Sequence, residues 1–144
     1  VALSLRGELA LAFQLLIYPA TDQHRTHDSH QRNAQGYLLT ADTMRWFHDH
    51  YITDAAWDDD WRASPLRAES LAGLPPALVL TAGFDPLRDE GVAYAQRLSE
   101  AGVRASLVSF ERQIHGFILM GRVIDEANEA VALCGDALRR ALRA

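Results

Sequence analysis

Apolar residues in this chain follow two rhythms. Some form short unbroken runs of strand length, and others recur every third or fourth position as on one face of a helix. The run Ala77-Leu78-Val79-Leu80, set off by Pro75 and Pro76, shows no polar alternation, which predicts a strand buried on both faces as in a parallel sheet. Residues 11–18 and 105–110 give two more strands, the first, buried on both faces, ended by Pro19. A helix over 86–101 turns Leu87, Tyr94, Ala95 and Leu98 to the sheet and stops at Gly102. Thr40 caps a helix over about 41–53 that places Met44, Phe47 and Tyr51 on one face, with Trp46 and His50 in a second stripe. The last helix lines up Val123, Ala127, Val131, Cys134, Leu138 and Leu142. Residues 1–6 read as the tail of another helix, closed by Gly7. Strands alternating with helices define an α/β fold of about three parallel strands with flanking helices and a helical insertion between the first two strands.

Two polar stretches remain. Residues 23–35 hold His24, His27 and His30, but this spacing keeps no common face in a strand and drifts around a helix, and no cysteine or His-Glu-x-x-His pattern accompanies it. A flexible polar loop is expected there, and no metal site. Residues 54–62 are acidic; they lack the alternation and glycine of a calcium loop and read as a solvated loop with Trp57 and Trp61 packed on the domain.

Composition narrows the classes. A net charge of -5 with no basic stripe argues against a nucleic-acid partner, and no apolar run reaches the length of a membrane span. All 14 basic residues are arginine, which removes Schiff-base chemistry from this segment. Cys134 is alone and falls in a helical apolar pattern, so it reads as a buried thiol without a redox role. No cofactor is implied, and a cytoplasmic location is the working expectation.

The candidate chemistry sits after the second and third strands. Asp85 precedes Pro86 and so reads first as a helix N-cap, with Asp89 and Glu90 favouring the positive end of the helix dipole. His115, in Ile114-His115-Gly116-Phe117, follows the next strand. In a parallel sheet with right-handed crossovers, successive strands end on one edge, where open α/β sheets place their sites; Thr21 and Asp22 fall on the same edge. An aspartate and a histidine meeting there can act as the acid and base of a triad, the aspartate fixing the imidazole tautomer and the histidine taking a proton from a nucleophile.

Several phrases carry a family resemblance: LLIYPATD at 15–22, GYLLTADTMRWFHDHYI at 36–52, ASPLRAESLAGLPPALVLTAGFDPLRDEG at 63–91, YAQRLSEAGV at 94–103 and IHGF at 114–117. In this order the chain resembles the hormone-sensitive-lipase-like carboxylesterases of the α/β-hydrolase fold. The resemblance implies that Asp85 is the triad acid and His115 the base, and that residues 36–62 form a lid-like insertion in which Trp46 and Phe47, together with Phe117, line the substrate site. It also implies a serine nucleophile upstream, yet neither Gly-x-Ser-x-Gly nor a His-Gly-Gly-Gly-type oxyanion loop occurs in these 144 residues. The expectation is therefore the C-terminal part of one hydrolase domain acting on small esters, inactive alone, with a homodimer formed through the last strand. Two other readings compete. One is a non-catalytic remnant or association domain, and the other a metal-binding module built on His24, His27 and His30.

Overall fold

The computed structural model describes Ser4 and residues 7–143; apart from Ser4, the helix expected over residues 1–6 lies outside the described residues. Three parallel strands form one sheet in the order β1 (Gln14–Ile17), β2 (Ala77–Phe84), β3 (Ala105–Ile114). β2 lies between its neighbours, and its residues from Ala77 to Ala82 are all buried, as an apolar run without alternation requires. β1 is shorter than the run 11–18 and, beyond Gln14, only partly buried. It is an edge strand among the described residues, and an edge strand has one neighbour fewer to cover it. Its register pairs Gln14 with Ala77 and Ile17 with Leu80.

β3 runs on past Phe110 through Glu111, Arg112 and Gln113 to Ile114, because ladder hydrogen bonds at an open edge do not depend on side-chain polarity. The β2–β3 register is regular from Ala77↔Ala105 to Ala82↔Phe110 and then jumps to Phe84↔Ile114. This irregularity centres on Gly83, where a Cβ would stand 1.9 Å from the Glu111 carbonyl oxygen. Only glycine lets the two backbones approach so closely. The shift makes Phe84 and Ile114 the last paired residues of their strands, so the residues that follow them, Asp85 and His115, leave the sheet side by side.

Between β1 and β2 lie α1 (Asp28–Arg32), α2 (Ala41–Tyr51) and 3-10 turns at Ala55–Asp58 and Pro65–Arg67; α3 (Arg88–Glu100) joins β2 to β3, and α4 (Asp125–Ala141) follows a 3-10 turn at Phe117–Leu119. α3 packs on one face of the sheet, where Tyr94 and Leu98 meet Leu71, Leu74 and Ala77. α4 packs on the other, where Ala127, Ala130, Cys134 and Ala137 meet Leu78, Leu80, Tyr18 and Phe117. The result is a three-layer α/β arrangement.

Four expectations change. The segment 23–35 is not a loose polar loop: it contains α1, whose Ser29 and His30 are buried. α3 begins at Arg88, with Leu87 and not Asp85 in the capping position. The stripe expected on α4 holds only in part: Ala127 and Cys134 are buried together with Ala130 and Ala137, whereas Val131 is exposed, as are Val123 and Leu142 just beyond the helix ends. Tyr18, Phe110 and Phe117 already supply bulk there, so the helix contributes alanines and a cysteine to fill the remaining space. Trp61 packs on the second core as expected, whereas Trp57 stays exposed. Thr40 caps α2 as read, its Oγ1 accepting from Thr43 N at 3.2 Å, but no residue of that helix is buried.

Candidate active site

Asp85 and His115 meet at the end of the sheet: His115 Nδ1 lies 2.8 Å from Asp85 Oδ2. The aspartate is 1% exposed and its other oxygen, Oδ1, accepts from Leu87 N at 2.9 Å. One carboxylate thus has two tasks, neither of them the N-cap of α3. Oδ1 closes the turn into α3, and Oδ2 faces the imidazole. With Nδ1–H donating to the carboxylate, Nε2 keeps its lone pair and has no partner among the described residues. Gly116, at φ 80, supplies the left-handed turn that takes the chain away immediately after His115.

The pair is held from three sides. Asn33 Nδ2 donates to the Asp85 carbonyl at 3.0 Å and to the Gly83 carbonyl at 3.3 Å. Ser29 Oγ donates to the Pro86 carbonyl at 2.6 Å and accepts from Asp89 N at 3.1 Å, so α1 is fixed to the loop that carries Asp85. The Tyr18 ring lies 4.9 Å from the His115 ring, and its hydroxyl accepts from Ile118 N at 3.1 Å. Burial pushes the Tyr18 phenol up to about 12, with the nearby Asp85 charge acting in the same direction, so it stays protonated. Tyr18 adopts φ 48, a conformation that costs energy for a bulky residue and is kept by its buried packing.

A second buried couple is formed by Glu90 and His30. Glu90 is fully buried; its Oε1 accepts from Thr21 N and, at 3.2 Å, from Asp22 N. Its Oε2 is 2.7 Å from His30 Nε2, a short approach outside hydrogen-bond geometry between two atoms with no other partner. Glu90 therefore ties the end of β1 and α1 to the first turn of α3. Asp22, beside it, pairs with Arg67 at 2.8 Å and 3.3 Å. Burial raises the Asp22 carboxyl, but the Arg67 guanidinium and the His24 N–H outweigh it and hold the group below its usual range.

His115 opens onto a cavity of about 840 Å³ whose walls include Leu11, Leu39, Met44, Phe47, Tyr51 and Leu87. A mostly apolar pocket with a few converging polar groups is the common form of a small-molecule site.

Comparison with known proteins then decides the family: a sequence profile described as the alpha/beta hydrolase fold matches residues 1–119. The chain belongs to this α/β-hydrolase family. It is 42% identical over 141 residues to an ethyl acetate hydrolase of Pseudomonas putida, covering 97% of this chain and 44% of that protein. It is 36% identical to the carboxylesterase NlhH of Mycobacterium tuberculosis, covering 96% of this chain and again 44% of the relative. Among solved structures, the thermostable carboxylesterase EstE1, cloned from a metagenomic library, superposes with a TM-score of 0.92 at 36% identity, over 98% of this chain and 49% of that one. The chain thus spans less than half the length of the curated relatives it matches. The resemblance read from the sequence is borne out for family and fold.

Within this α/β-hydrolase-fold chain the structure places the other expected site residues differently. Phe47 borders the cavity. Trp46 does not; it is exposed and stacks on His50 with ring centroids 4.1 Å apart. Phe117 is fully buried beneath the site, 5.7 Å from the Tyr18 ring and 4.9 Å from Phe110, so it supports the histidine turn without reaching the cavity. Of the three clustered histidines His24 turns to Asp59 and His30 to Glu90, with the His27 ring 6.1 Å from that of His30, and no group of three or more side chains that could hold a metal forms among the described residues. Sequence reasoning missed Tyr18, Ser29, Asn33 and Glu90. Glu90 carried a signal, because it sits on the same helix face as Leu87, Tyr94 and Leu98, where a carboxylate must be paired. No helix among the described residues is long and apolar enough to cross a membrane.

Proposed function

We propose that this chain carries the acid and base of a serine-type carboxylic ester hydrolase. The supporting observation is the 2.8 Å approach of His115 Nδ1 to Asp85 Oδ2 at the mouth of an apolar cavity. In this reading His115 Nε2 takes the proton of a serine hydroxyl as its oxygen attacks the ester carbonyl. The imidazolium then gives that proton to the departing alkoxide, leaving an acyl-enzyme, and the same nitrogen activates the water that releases the acid. Asp85 holds the Nδ1 proton in place throughout. The names of the relatives, an ethyl acetate hydrolase and a carboxylesterase, support a small carboxylic ester as substrate.

No Gly-x-Ser-x-Gly turn occurs in this sequence, so the attacking serine is contributed by residues outside these 144. The chain alone is then inactive, lacking both the nucleophile and the donors that stabilise the oxyanion. The test uses a fluorophosphonate probe and p-nitrophenyl acetate on the full-length protein and on this chain. The proposal expects turnover and labelling of one serine outside this sequence in the former, and neither in the latter. Labelling of a serine within this chain, or no turnover by the full-length protein, would contradict it.

A further inference from the structure

The charged residues bordering the cavity are compensated, with one exception. Asp22 is neutralised by Arg67 at 2.8 Å, and Arg62 holds Asp60 through paired bonds of 2.5 and 2.9 Å. His48 meets Asp58 at 2.8 Å, and Glu90 accepts from the Thr21 and Asp22 amides through one oxygen while His30 Nε2 lies 2.7 Å from the other. Arg25 also borders the cavity and is partly buried, yet among the described residues its guanidinium has no hydrogen bond or ion pair. Its backbone N–H donates to the Asp22 carbonyl at 3.3 Å, and its φ of 54 is one of the few left-handed values at a non-glycine residue. A guanidinium offers a planar fork of donors. On the wall of the cavity that Met44, Phe47 and Tyr51 also line, it lacks an acceptor where apolar surroundings strengthen charge pairing.

We propose that Arg25 is a specificity residue that binds a carboxylate on the substrate, so that the preferred substrates are esters carrying a free carboxylate at the end remote from the bond cleaved. The proposal rests on the ester hydrolase reading for its reaction. Two parallel N–H donors match a carboxylate and do not match a neutral alkyl ester, whose hydrocarbon end leaves them empty. Apolar walls then hold the carbon chain between the charged end and His115.

The experiment has a binding arm and a turnover arm, both on the full-length protein. Calorimetric titration with sodium hexanoate and with 1-hexanol is compared for the wild type, Arg25→Met and Arg25→Lys. Methionine retains an unbranched stem, and lysine restores the charge without the fork. Hexanoate binding is expected to weaken about 10- to 100-fold in Arg25→Met and to recover in part in Arg25→Lys, with hexanol unchanged. In the second arm, kcat/KM for monoethyl adipate relative to diethyl adipate falls by a similar factor in Arg25→Met, carried mainly by KM. Circular dichroism identifies a misfolded Met variant, and the Lys variant then decides by the monoester to diester ratio alone. Hexanoate affinity unchanged by Arg25→Met, or no hexanoate binding by the wild type, overturns the proposal. Failure of the wild type to hydrolyse either ester overturns the ester hydrolase reading instead, while the hexanoate comparison still decides the role of Arg25.

Discussion

Replacing Glu90 with alanine removes one carboxylate and strands three buried partners. Thr21 N–H and Asp22 N–H lose their acceptor, and His30 Nε2 loses the carboxylate oxygen 2.7 Å from it. A buried donor left without a partner costs about 1–3 kcal/mol. Glu90 borders the cavity, so water reaches part of the vacated space and the two amides together cost about 2–3 kcal/mol. Adding the unpaired imidazole brings the total to about 4 kcal/mol, inside the range of about 3–5 kcal/mol for removing one partner of a buried pair. Glu90→Gln keeps an amide oxygen for the two N–H groups and disturbs only the approach to His30, which lowers the cost to about 1–2 kcal/mol. Equilibrium urea unfolding followed by tryptophan fluorescence separates the two variants as a shift in midpoint with an unchanged slope. Costs for Ala and Gln that agree within about 0.5 kcal/mol would refute the assignment of the two amide hydrogen bonds to this carboxylate.

Three further outcomes follow from the same geometry. Gly83→Ala places a methyl 1.9 Å from the Glu111 carbonyl oxygen and is expected to cost about 3 kcal/mol or to break the β2–β3 register, read as a lowered melting temperature. Asp22 has a folded pKa below its ordinary value of 3.8, so its stabilising contribution is complete above that pH and is lost as pH falls through the lowered folded value; Arg67→Met leaves burial dominant and moves the acid-unfolding midpoint to higher pH. The outer edge of β3 is unpaired among the described residues, and pairing of two copies along it makes the full-length protein a dimer in light scattering across a concentration series, whereas a monomer throughout would exclude that use of the edge.

β2 and the Asp85–His115 pair were legible in the sequence for a single reason. An apolar run without alternation has few structural solutions, and parallel strands deliver the residues after their ends to one edge. The end of β3 was not legible, because Glu111, Arg112 and Gln113 have the polarity of a loop while their backbones continue the ladder. α1 was missed because five residues cannot display a hydrophobic rhythm; its anchors are Ser29 and Asn33, one helical turn apart, and their partners are backbone atoms more than fifty positions away. α4 shows the converse limit. Of the expected stripe Ala127 and Cys134 reach the core, but the space left by Tyr18, Phe110 and Phe117 takes Ala130 and Ala137 beside them and leaves the larger Val131 outside. Trp46 and Phe117 were assigned to the cavity by family resemblance, and the local geometry sends the first to His50 and the second into the core.

The central claim is that His115, oriented by Asp85, is the proton-transferring base of an ester hydrolase. Its most direct test is kcat/KM for p-nitrophenyl acetate measured on the full-length protein and on its His115→Ala variant at the same pH. A loss of about a thousandfold or more, with the urea unfolding midpoint retained, is the predicted result. A variant that keeps activity within about tenfold of the wild type would contradict the account, because general acid–base transfer at this position contributes far more than that.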